Sequence, residues 1–107
     1  MRTNYFMDME FHRKLFRDSL LNDCEAGESM RMIKRMNPEK GEEIILVEAY
    51  ATMRVMFNEH KNPRKPLLMI SRISKNIKPE TAKSLLDKYV ELTVEFHKKC
   101  SCAHIEG

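Results

Sequence analysis

Within eight residues near the C-terminus, His97, Cys100, Cys102 and His104 supply two imidazoles and two thiols, a donor set suited to zinc or copper. Helical geometry divides them. At about 100° per residue, His97, Cys100 and His104 fall within about 60° of one another, while Cys102 points roughly 140° away from His97. A four-ligand tetrahedral site therefore does not close on one helix, and the candidate metal ligands are His97, Cys100 and His104. The same three residues extend the apolar line Leu85, Tyr89, Phe96, which gives them a packing role that needs no metal. Methionines at Met7 and Met9 and at Met30, Met32 and Met36 could hold Cu(I), but a flexible thioether also fills irregular core space. No cofactor is expected.

A second chemistry is anion binding. Between Lys61 and Pro79 the chain carries six cations (Lys61, Arg64, Lys65, Arg72, Lys75, Lys78) and no acid. The whole chain is only +3, with 19 Lys and Arg against 16 Asp and Glu, so the positive charge is concentrated rather than spread. On a helix Arg64, Lys65, Arg72 and Lys75 share about 100° of circumference, opposite Ile70, Ile73 and Ile77. With Lys78, these are the candidate residues for an anionic or nucleic-acid partner, through phosphate contacts. The plainer reading is the wet side of an amphipathic helix, neutralised by acids such as Glu42 or Glu59 in the fold. The basic stretch contains no aromatic residue, so stacking on single strands is not supported.

The stretch from Ile70 to Tyr89 resembles a helix-turn-helix at some positions. Asn76 suits the left-handed residue of the turn, and Ile77, Ala82 and Leu85 follow at the expected apolar offsets. It departs from the pattern at Arg72, where a small residue belongs, and at Ser71 and Lys75, where apolar residues belong. No family residues are carried over from it.

Catalytic patterns are not visible. The sequence has no glycine-rich phosphate loop, no H-E-x-x-H and no G-x-S-x-G, and its glutamates read mostly as solvated helix faces. Glu42 and Glu43 suit the positive end of a helix better than acid–base work. The chain is expected not to be an enzyme, and no small-molecule substrate is identified.

The elements that must position these residues are helices. Glycine occurs three times in 107 residues, no two-residue alternation persists, and the breaks fall at Asn37-Pro38, Asn62-Pro63 and Lys78-Pro79, where proline suits the first helical position. The first segment, from about Asn4 to Asp23, repeats Tyr5, Met9, Phe16 and Leu20, with His12 on the same stripe. Met7, Phe11 and Leu15 form another apolar row roughly 120° away, the candidate interface with a partner or a second copy. Met30, Ile33 and Met36 continue beyond Gly27, which either breaks or weakens the helix at about 1 kcal/mol.

From about Glu39 to His60, apolar residues cover more than half of the circumference, marking the central helix. A third helix, about Arg64 to Lys78, presents Leu67, Ile70, Ile73 and Ile77. A fourth, about Pro79 to Lys99, presents Ala82, Leu85, Leu86, Tyr89, Leu92 and Phe96. The prediction is an all-α, four-helix antiparallel bundle-like single domain over residues 1–99, open to completion by dimerisation, with a short fraying tail over 100–107.

The longest apolar runs, Ile44 to Val47 and Leu67 to Ile70, are far short of the roughly 20 residues a membrane span needs. With acids at Asp8 and Glu10 and no signal-peptide core, a cytoplasmic protein is expected. Three cysteines do not make a disulfide framework, and Cys24 reads as a small buried hydrophobe. The expected function is protein–protein interaction of a regulatory or adaptor kind. The alternatives are a nucleic-acid-binding regulator using the basic face of residues 61–78 and a metal-binding tail.

Overall fold

A computed structural model of the chain describes residues 3–60 and 64–106, with side chains described over 9–59 and 64–98. Among them the chain forms five α-helices: α1 (Thr3–Leu21), α2 (Gly27–Met36), α3 (Gly41–His60), α4 (Arg64–Ile73) and α5 (Pro79–Glu106), with a 3-10 turn at Ser74–Asn76 between the last two. The fold is all-α, as the periodicity predicts. At about 1.5 Å per residue, the 28 residues of α5 span roughly 42 Å and set the long dimension of a body 57 Å by 27 Å by 21 Å.

The count is five rather than four because the first expected segment divides. The division does not fall at Gly27. Asp23 adopts a left-handed conformation with φ of 58°, Cys24 N–H donates to Ser19 O at 2.8 Å, and Asp23 N–H donates to Leu20 O at 3.4 Å. This pair of bonds is a Schellman cap with aspartate where glycine usually stands. Gly27 then opens α2 behind Ala26.

Asn37 also plays a different part from the one expected. It closes α2, its N–H donating to Ile33 O at 3.0 Å, and its Oδ1 accepts from Lys40 N–H at 3.3 Å. The helix that Asn37-Pro38 was expected to open therefore begins at Gly41, after one further turn. At Lys78-Pro79 the expected start holds: Ala82 N–H donates to Lys78 O at 2.9 Å, with proline at the first helical position. Asn62-Pro63 lies outside the described residues.

Helix α3 is the central element and packs against α1, α2, α4 and α5. Its Ile45, Ala49, Met53 and Met56 are fully buried, together with Phe16 of α1, Met30 and Ile33 of α2 and Leu85 of α5. Phe57 meets Tyr89 and Phe96 of α5 at ring-centroid distances of 5.9 and 5.7 Å, within the range of favourable aromatic pairs. Two expected stripes hold in part. Ile70 and Ile73 of α4 and Leu85 and Leu92 of α5 are buried as expected, but Leu67 is 44% exposed and Leu86 43% exposed, and α4 adds Pro66 and Met69 to its buried face. No helix among the described residues is long and apolar enough to cross a membrane.

Candidate interaction surfaces

The cations of the basic run do not act as one stripe. The α-helical wheel stops at Ile73, and the 3-10 turn redirects the chain beyond it. Lys65 and Arg72 turn to a common acid, Asp23, at 3.5 and 3.7 Å. These are exposed pairs, worth at most about 1 kcal/mol each, and one carboxylate faces two cations. Arg64 is exposed at the start of α4. Lys61 lies outside the described residues.

Lys75 and Lys78 belong to a different feature, an open groove of about 960 Å³ between α2 and the junction leading into α5. Arg31 and Lys34 line it from α2, and Glu25, Glu28 and Glu42 add acids to its wall. Glu42 organises its floor. The carboxylate accepts from Lys78 N–H at 3.1 Å, forms an ion pair with Lys34 at 3.2 Å and takes a hydrogen bond from Thr81. Lys34 also donates to Asn76 O. Burial alone would raise the Glu42 pKa, but the bonds from Thr81, Lys78 and Lys34 outweigh it and hold the group below the ordinary carboxylate value. Glu42 therefore caps α5 from another helix, satisfying an N–H that no residue of α5 serves.

The junction differs from a DNA-reading turn. Asp23 alone among the described non-glycine residues has a positive φ, so Asn76 does not take the left-handed position. Residues 74–76 form the 3-10 turn, and Ile77 is extended at φ −127° and ψ 163°, so the chain leaves the helical path before Pro79 restarts it.

Apolar side chains face outward on four helices, Leu67 and Leu68 of α4 among them. On α1, Phe11 is 59% and Leu15 40% exposed, while Met7 lies outside the described side chains. Phe11 packs edge-on to His12 at 5.3 Å. On α3, Val47 and Val55 are exposed. The longest row is on α5, where Leu86, Val90 and Val94 recur every fourth residue and are 43%, 57% and 49% exposed.

His97 is exposed beside Phe96, with 6.1 Å between ring centroids. The side chains of Cys100 and His104 lie outside the described residues. No group of three or more His, Cys, Asp or Glu suited to a metal occurs among the described residues. Cys24 is exposed rather than buried, because the Schellman cap carries it to the surface loop after α1, at the edge of a cleft shared with Asp23 and Arg72.

The residue that sequence reasoning passes over is Glu48. It sits on the buried face of α3 at 3% exposure, where Arg13 donates to Oε2 at 2.8 Å and Arg17 to Oε1 at 2.7 Å. The signal was present: Glu48 follows Ile45 by three residues and precedes Thr52 by four, on the core period, and Arg13 and Arg17 stand one turn apart. The bond to Glu48 raises the Arg17 pKa, against the smaller opposing effect of burial. The cluster fastens α1 to α3. Comparison of the chain with protein-family models, with curated proteins and with solved structures found no match.

Proposed function

We propose that this chain is a non-catalytic helical protein that acts by binding another protein through helix faces its own core leaves exposed. The observation that carries this reading is the set of outward apolar rows, above all Leu86, Val90 and Val94 on α5. Such a row costs solvation in isolation and is the usual anchor for a partner helix or groove. The α1 row of Phe11 and Leu15, with Met7 one step earlier, is the other anchor and a second route to self-association. A photoreactive amino acid placed in turn at Phe11, Val47 and Val90 and irradiated in the producing cell tests the reading. A discrete protein adduct at one of these positions or more is expected. Adduct-free chain at all three overturns it.

A nucleic-acid reading has narrower support. It rests on Lys75 and Lys78 in the groove and on the two cations, Lys65 and Arg72, that share the single carboxylate of Asp23. Binding to duplex at low salt that falls steeply with added salt, and weakens in Lys75→Glu, is its expected signature. Absence of binding at low salt disposes of it.

A further inference from the structure

We infer that α4 and α5 together form the contact between two copies of this chain, an inference that rests on the protein-binding reading and names its partner. The apolar part of the surface comes from both helices. Leu86, Val90 and Val94 lie within about 80° of the α5 circumference. Helix α4, which packs against α5, adds Leu67 and the 63% exposed Leu68.

Charge selects the occupant. The charged residues of α4 are all cations, Arg64, Lys65 and Arg72, the last two sharing the single carboxylate of Asp23, whereas on α5 Glu80, Glu91 and Glu95 remain acidic beside the Lys83–Asp87 pair. Lys88 turns to the ring of Tyr50, 5.3 Å away, leaving the outer side of this part of α5 still more acidic. Neighbouring helices thus present opposite charge beside exposed leucine and valine. A surface of one sign repels a copy of itself. A surface divided into a basic and an acidic half attracts its own copy, because a two-fold axis lays α4 of one copy on α5 of the other. The α1 row lacks this property, since Glu10, Arg13, Lys14, Arg17 and Asp18 mix both signs on one helix and no basic half lies beside an acidic one.

Sedimentation equilibrium of the full chain over a wide concentration range is the test. The chain is expected to dimerise, with affinity that falls as salt is added. Leu68→Gln with Val90→Gln, both exposed sites and so harmless to the helical circular dichroism, is expected to weaken the dimer about tenfold or more. Glu91→Lys is expected to weaken it and flatten its salt dependence, and Leu15→Asp to leave it unchanged. A dimer that survives the double substitution, or that is lost in Leu15→Asp, overturns the assignment. A strict monomer overturns it as well. If that monomer still gives an adduct with a different protein from Val90, the protein-binding reading stands without self-association; if it gives no adduct at any position, both fail.

Discussion

Arg17 reaches from α1 to α3 and places its guanidinium 2.7 Å from Oε1 of Glu48. Arg13 holds the other oxygen at 2.8 Å. The carboxylate side chain is only 4% exposed, while the two arginines are 34% and 36% exposed, so the partners are not equivalent. Replacing both arginines by methionine strands a buried charge and is expected to cost about 3–5 kcal/mol. Glu48→Gln leaves guanidinium groups that can reach water and keeps one acceptor, so its expected cost is about 1–2 kcal/mol. Urea unfolding checks the order. Equal costs for the two variants would contradict this asymmetry.

Two glycines that look alike in sequence are expected to respond oppositely to alanine. A Cβ at Gly41 comes within 2.7 Å of the Lys34 Cα, a backbone atom of α2 that cannot swing aside. Gly41→Ala is therefore expected to destabilise by about 1–3 kcal/mol through overpacking. At Gly27 the nearest atom is Asn76 Nδ2 at 3.8 Å, an ordinary contact, and φ is not positive. Gly27→Ala is expected to be neutral or to stabilise by up to about 1 kcal/mol. Thermal melts of the two variants decide it. A stabilised Gly41→Ala would show that α2 and α3 are not in close approach there.

The central place of α3 is legible because Ile45, Ala49, Met53 and Met56 keep the helical period through the whole segment, and no other helix is apolar over so much of its girth. The stripes of α4 and α5 are less so. Leu67 lies one turn from buried Ile70 and Leu86 one turn from half-buried Ala82 and Tyr89, and which neighbour faces inward depends on how α4 and α5 lean on α3, which period does not encode. The end of α1 is illegible for a local reason: the left-handed cap position holds Asp23, not glycine, so Gly27 draws attention four residues too late. The basic run shows its charge in sequence but not the acid that meets it: Asp23 is 42 residues from Lys65, while Glu42, an acid expected to neutralise the run, takes the backbone N–H of Lys78 and pairs its charge with Lys34. The place of Glu48 on the core period is legible, but its partners are not, the arginines lying 31 and 35 residues away.

The Glu42 cap predicts a specific acid sensitivity. Hydrogen bonds from Thr81, Lys78 and Lys34 hold the folded pKa below the ordinary carboxylate value despite burial, so the unfolded chain takes up the proton first as pH falls. The stability Glu42 contributes is then fully present above the ordinary carboxylate value and is lost as pH falls through the folded one. Relative to Glu42→Gln, the wild type is expected to be more stable at neutral pH by a constant margin that shrinks below the carboxylate range. Urea midpoints of both proteins across an acid pH series provide the comparison. A margin that stays constant or widens in acid is the contrary result.

Asp23 combines a left-handed backbone with two ion pairs, and substitutions separate the two contributions. Asp23→Gly relieves the backbone but gives up Lys65 and Arg72. Asp23→Asn tolerates the left-handed region and loses only the charge. Asp23→Ala loses the charge and meets the full steric cost of that region, about 1–2 kcal/mol. Because the two ion pairs are long, exposed and share one carboxylate, they fall toward the low end of the range of about 0–1 kcal/mol each, and the backbone contribution is expected to be the larger. The expected order of stability is glycine at least equal to asparagine, and alanine clearly below both, with the native aspartate within about 1 kcal/mol of glycine. If alanine matches glycine in urea unfolding, the cap is not what ends α1. If both asparagine and glycine fall as far as alanine, the ion pairs to Lys65 and Arg72 hold the loop, and the basic face of α4 depends on Asp23 for its arrangement.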